Sequence, residues 1–238
     1  QWGVFSIAGP NSRSFLKKIV VSEDPDKTLS NKEFPWLSYR DIEIGMCPVR
    51  ALRVAYTGEL GWELHHPIEM QNYLLDILLS SGKEFNLKLV GARAQNWLRQ
   101  EKSYKAFGSD LGRDAGPFES NLSRFVDINK NFLGKDALLK RKTDVSCVTL
   151  LIDGPKDMDP WGREALYNET EEIMLGRLTS AGYSVHFKRS IGIGYVKSSF
   201  SEVGTKLRIK IDDAFWNAEI VRDSPYDPQN ERIIDRAQ

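Results

Sequence analysis

Tyr56-Thr57-Gly58-Glu59-Leu60-Gly61-Trp62-Glu63-Leu64 decides how the first half of the chain is read. Two glycines three positions apart mark a turn, and the residues beyond Gly61 form an extended run whose neighbours face opposite sides. Alternation places Glu63 on a strand as a solvated glutamate, and it leaves Glu59 in the Gly58-to-Gly61 turn, facing water. His65 and His66 then point to opposite faces, one buried and one exposed, so they cannot chelate one metal together. Upstream, Ile42, Ile44 and Met46 alternate, and Leu52, Val54 and Tyr56 alternate against Ala51, Arg53 and Ala55, which predicts two adjacent strands. Downstream of Pro67, Met70, Tyr73, Leu74, Ile77 and Leu78 fall at i, i+3, i+4, i+7 and i+8, a helix stopped by Gly82.

The same alternation of elements extends outward. Trp2-Gly3-Val4-Phe5-Ser6-Ile7-Ala8 reads as a core strand, Gly9-Pro10-Asn11-Ser12 as a turn ending in N-cap residues, and Phe15, Leu16, Ile19 and Val20 as a helical face. A further helix is expected over residues 92–104. Lys140-Arg141-Lys142-Thr143-Asp144 is a short polar hinge, after which strands take over at 145–152, 191–196, 207–211 and 215–221. The expectation is an α+β fold with a domain over residues 1–142 and a small antiparallel barrel or sandwich over 143–238.

Composition removes several classes of function. The 238 residues carry 33 Lys and Arg against 33 Asp and Glu, so no basic field is available to hold a phosphate backbone. Cys47 and Cys147 lie far apart, and no histidine has metal-ligand spacing around them. Gly192-Ile193-Gly194 begins like a dinucleotide loop, but Lys197 stands where a third glycine is needed, so these are glycines of a barrel strand. No G-x-S-x-G elbow is present. No apolar run approaches the ~20 residues of a membrane span. A soluble chain is expected, a fragment of something longer that opens directly on a core strand.

The quoted segment and its surroundings resemble the tetrahydrofolate-binding aminomethyltransferase family, the glycine-cleavage T-protein and its relatives. The family's apolar strand and G-P turn are similar to residues 5–10, and its G-A-R helix to Gly91-Ala92-Arg93. Its L-R-x-E-K-x-Y stretch resembles Leu98-Arg99-Gln100-Glu101-Lys102-Ser103-Tyr104, followed by Phe107-Gly108-Ser109-Asp110-Leu111, and its F-x-G-x-x-A-L hinge resembles residues 132–138. Thr179-Ser180-Ala181-Gly182, Ile193-Gly194-Tyr195-Val196, Val203-Gly204-Thr205 and Pro225-Tyr226-Asp227-Pro228 look like its C-terminal barrel. Phe34-Pro35-Trp36, Arg50-Ala51-Leu52-Arg53 and Asp159-Pro160-Trp161-Gly162 most resemble the C-terminal half of dimethylglycine and sarcosine dehydrogenases. Ala94 and Ala181 depart from the family's usual Asp and Gly.

The resemblance implies a T-protein-like folate-binding region, a mixed antiparallel sheet with helices, followed by the barrel. It also implies that the catalytic aspartate lies upstream of residue 1. Tetrahydrofolate is the implied cofactor, with FAD only in an upstream domain or partner. A pterin presents a ring N–H beside an exocyclic amine, a donor pair that one carboxylate accepts in bidentate fashion. The resemblance gives that role to Glu63, sets Tyr56 against the folate, and pairs Arg93 with a carboxylate of the glutamyl tail. Without it, Glu63 is a solvated strand residue, Tyr56 ordinary core and Arg93 a helix-surface cation. The implied reaction transfers a one-carbon unit from an oxidised N-methyl amine to tetrahydrofolate, in the cytoplasm of a bacterium or the mitochondrial matrix of a eukaryote. The implied partners are folate, the amine-derived substrate and a flavoprotein half, with neither nucleic acid nor membrane. Two alternatives share the fold: a non-catalytic regulatory subunit like that of pyruvate dehydrogenase phosphatase, and a folate-dependent demethylase of another methylated substrate.

Overall fold

The computed structural model describes residues 1–141, 143–155 and 158–235. The chain divides into two compact units, Gln1–Gln95 with Asp227–Gln238, and Asn96–Tyr226. This division falls earlier than the expected boundary at residue 142, and Lys142 itself lies outside the described residues.

The first unit is built on β1 (Trp2–Ala8), β2 (Tyr39–Ile44), β3 (Cys47–Leu52) and β4 (Gly61–Pro67), an antiparallel sheet in the order β1-β4-β3-β2. Period-2 alternation gives it one apolar face: Ile7 pairs with Trp62, Phe5 with Leu64, and Ile42 with Val49. Against that face pack Phe15, Leu16 and Ile19 of α1 (Ser12–Ile19), which precedes the short α2 (Pro25–Thr28), and Leu74 and Leu78 of α3 (Gln71–Gly82). Trp62, Leu64, Leu16 and Leu74 are fully buried there.

The strand expected to run on through Val54 and Tyr56 instead ends at Leu52, and its inward residues are Cys47, Val49 and Ala51. A two-residue hairpin loop, Gly45-Met46, sets this register by pairing Ile44 with Cys47. Gly45 lies at φ +58°, and a Cβ there would stand 2.4 Å from the Tyr73 hydroxyl, so the position demands glycine. Met46, expected on a strand, is 76% exposed in that loop.

In the second unit β5 (Val145–Ile152), β6 (Ala165–Tyr167), β7 (Met174–Ser184), β8 (Arg189–Lys197), β9 (Lys206–Ile211) and β10 (Ala214–Val221) close into a barrel, in the order β10-β5-β8-β7-β6-β9. Four of these strands were expected; β6 and β7 were not. β7 lacks a β-branched alternation because neighbouring elements come too close for side chains. A Cβ on Gly176 would stand 1.9 Å from the Tyr195 carbonyl oxygen, and one on Gly182 would stand 2.1 Å from the Trp97 ring. Gly192 and Gly194 lie in β8, against Leu178. The chain enters this unit along α4 (Ala92–Glu101), reaches β5 through α5 (Lys135–Lys140), and returns to the first unit at α6 (Glu231–Ile234). No helix among the described residues is long and apolar enough to cross a membrane.

Candidate functional site

Two turns meet ahead of β4. The Gly9 N–H donates to the Leu60 carbonyl at 2.8 Å. The Ser12 hydroxyl lies 2.7 Å from the Gly9 oxygen and 3.0 Å from that of Leu60, shared between the two. Asn11, at the helix N-cap, makes no side-chain cap bond, so Ser12 ties the chain there instead. A Cβ on Gly61 would stand 2.5 Å from the Ile7 carbonyl oxygen, so the second glycine of the segment lets β4 lie against β1. With that entry fixed, the pleat does the rest. Trp62, Leu64 and His66 turn into the core, while Glu63 and His65 turn to the other face.

Trp62 anchors this register. Its ring is edge-on to Phe34 at 6.2 Å, and the Arg13 and Arg53 guanidinium carbons lie 5.5 and 5.8 Å from its centroid. Both arginines are almost fully buried. Arg53 donates to the carbonyls of Phe34 and Ile234, each at 2.6 Å, and Arg13 donates to Asp235 at 3.0 Å, to Asn31 at 2.7 Å and to the Leu29 carbonyl. Burial, then the neighbouring Arg13 charge, brings the Arg53 guanidinium down to about 10. No local pattern announces this cluster, because its members are spread from residue 13 to residue 235.

On the other face, Glu63 stands between Ser6 of β1 and Leu52 of β3, and His65 between Val4 and Arg50. The His65 Nε2 lies 3.2 Å from Glu63 Oε2, with the two side chains 30% and 36% exposed. Arg50 grips Asp41 of β2 through Nε at 2.8 Å and Nη2 at 3.1 Å, and its guanidinium lies 5.3 Å from the Tyr39 ring centre. Arg50 therefore holds the Asp41 carboxyl below its ordinary value. Among the described residues this face carries Glu63, His65, Arg50 and Asp41 in a row, flanked by exposed Trp2, Val4 and Tyr39.

The residues singled out in the sequence fall as follows. Glu63 is on β4, with its carboxylate accessible. Tyr56 lies in the turn ahead of β4, 36% exposed, and is neither on a strand nor in the core. Arg93 is the second residue of α4, on an exposed position. Glu59, expected to face water, has a side chain only 20% exposed, within 3.6 Å of Arg232 of α6. The turn that carries it folds towards the C-terminal segment. His66 is fully buried, its Nδ1 2.9 Å from the Leu64 carbonyl and its ring stacked on Phe5 at 4.9 Å. His65 was read only as the other half of the histidine pair, although its i+2 spacing from Glu63 on one strand already put both on one face.

An open antiparallel sheet backed by helices is followed along the chain by a closed six-stranded antiparallel barrel, and an accessible carboxylate stands on the strand after a glycine turn. The chain belongs to the glycine cleavage T-protein family: residues 1–130 match the GCVT N-terminal domain, and residues 146–227 match the glycine cleavage T-protein C-terminal barrel domain. It is 36% identical over 232 residues to the human protein named dimethylglycine dehydrogenase, mitochondrial, covering 94% of this chain and 25% of that one. An aminomethyltransferase of Caldanaerobacter subterraneus subsp. tengcongensis is 30% identical over 217 residues, 91% of this chain and 56% of the relative. The crystal structure of the glycine cleavage system aminomethyltransferase T from Bartonella henselae superposes with a TM-score of 0.78 at 21% identity, covering 94% of this chain and 60% of that one. The chain thus spans about a quarter of the length of the dehydrogenase relative and over half of the aminomethyltransferase.

Proposed function

We propose that this chain is the tetrahydrofolate-dependent one-carbon transfer region of a dimethylglycine or sarcosine dehydrogenase-like protein. Residues 1–142 would be the C-terminal part of the aminomethyltransferase domain and residues 143–238 its barrel domain. The observation that carries the reading is the outward, half-exposed carboxylate of Glu63, held on a strand whose opposite face is locked by Trp62. An ionised carboxylate offers about four lone-pair sites. His65 takes one, so a side-by-side donor pair of the pterin type fits the remainder. Tyr56, ahead of the same strand, would set its ring or phenol against the folate, and Arg93 would receive a glutamyl carboxylate through its planar fork.

Bound tetrahydrofolate supplies the nitrogen nucleophile that takes up the one-carbon unit. The chain's residues hold the pterin in register and shield the electrophile from water, which is a contribution of proximity and exclusion. The carbon donor would be an N-methyl amine oxidised by a flavin in an upstream domain or partner, and the compartment would be the mitochondrial matrix or a bacterial cytoplasm. The test is titration calorimetry of tetrahydrofolate with the full polypeptide carrying this sequence, wild type against Glu63→Gln. The glutamine keeps the volume but aims an amide donor at a donor, and the expected loss is about a hundredfold in affinity, or roughly 2 to 3 kcal/mol. Unchanged affinity in a folded variant would overturn the reading.

A further inference from the structure

We propose that His65 is a positioning residue for Glu63, fixing the rotation of the carboxylate. This rests on the reading of Glu63 as the folate acceptor. Glu63 and His65 sit two positions apart on β4, on one face, 3.2 Å apart at Nε2 and Oε2. An ionised carboxylate only accepts, so the imidazole carries its proton on Nε2 and donates it.

The imidazole is enclosed on both sides. Val4 of β1 is its partner across one ladder and Arg50 of β3 its partner across the other, and Arg50 is itself engaged by Asp41 of β2. Beside Glu63 stand Ser6 of β1 and Leu52 of β3, neither of them charged. Among the described residues of this face, His65 is therefore the titratable group that touches Glu63, and Arg50, paired with Asp41, stands across the ladder from His65. A glutamate χ3 is broad when unrestrained, so a bidentate donor pair would have to select one rotation. The His65 N–H makes that selection before the ligand arrives.

The experiment measures tetrahydrofolate dissociation constants by calorimetry in the full polypeptide, with thermal melts as a folding control. His65→Leu should weaken binding about tenfold. His65→Gln, whose amide N–H reaches where Nε2 stands, should restore affinity to within about threefold of the wild type. In a Glu63→Gln background, His65→Leu should cost nothing further. If His65→Leu bound like the wild type, or lost as much affinity in the Glu63→Gln background as alone, or if His65→Gln failed to rescue while melting normally, the proposal would fall. Failure of the His65 variants with Glu63→Gln still defective would remove this inference and leave the folate site standing. A silent Glu63→Gln would remove both.

Discussion

The two units solve the edge problem of a β-sheet in opposite ways. The barrel closes on itself and leaves no strand unpaired, and the buried pair Arg99 and Asp110 of the same unit is saturated from within. Arg99 and Asp110, 1% and 2% exposed, meet at 2.5 Å. Asp110 also accepts from the Thr179 hydroxyl at 2.5 Å and the Ala106 N–H at 2.9 Å, while Arg99 also reaches Ser180 at 2.6 Å and Asn96 at 2.9 Å. The four-stranded sheet keeps two edges and commits only one face to its core, leaving ionisable groups on the other with capacity to bind. Saturated polar groups hold structure, and accessible ones are available for chemistry.

The sharpest test of that contrast is Asp110→Ala, which strands a buried guanidinium and should cost about 3 to 5 kcal/mol in denaturant unfolding of the full polypeptide. A loss below about 1 kcal/mol would mean that the barrel network is not the structural element argued here. Glu63→Gln stands at the other pole. It should lower folate affinity about a hundredfold, or roughly 2.7 kcal/mol of binding, with no more than a small change in melting temperature. A melting loss comparable to that of Asp110→Ala would place Glu63 among the structural residues.

An alkaline titration probes the barrel by a third route. Burial pushes the Cys147 thiol up to about 12, and burial raises the Tyr195 phenol to about 12 as well. The folded barrel therefore keeps protons that the unfolded chain releases. The stability this provides is complete below the ordinary thiol range and is lost as pH rises towards 12. Cys147→Ala should flatten that decline, by on the order of 1 kcal/mol at pH 10, in melts recorded between pH 8 and pH 11. An equal slope in wild type and variant would show that the thiol titrates alike in the folded and unfolded chain. The smallest effect belongs to the outer face of the sheet. Asp41→Asn removes an exposed pair with Arg50 and should cost under about 1 kcal/mol, less still in high salt.

Legibility in the sequence followed the same divide. β5 was read to its exact residues and β9 and β10 to within one, because β9 alternates without interruption and the other two are apolar-rich runs bounded by polar segments. β7, the longest strand, was invisible as periodicity, since Gly176 and Gly182 are dictated by Tyr195 and Trp97, which are distant in sequence. The strand end at Leu52 was misjudged because Leu52, Val54 and Tyr56 alternate on paper, whereas the Gly45 turn puts Val49 and Ala51 inward. At the site, alternation alone sent Glu63 outward, and the same rule reaches His65. The surroundings of Glu59 and Trp62 depend on residues 227–235, and no local pattern announces a contact at that separation.

The first unit is assembled from two stretches of chain, so it cannot finish folding in the order in which it is made. Arg13, Arg53 and Trp62 all lie within the first 62 residues, while the carboxylate and carbonyl at Asp235 and Ile234 that the two arginines also bond come after the whole of residues 96–226. At ribosomal rates of about 5 to 20 residues per second that interval is on the order of ten seconds, long enough for a barrel to close. The strand carrying Glu63 should therefore mature last, with its anchoring residue held by two arginines awaiting their partners.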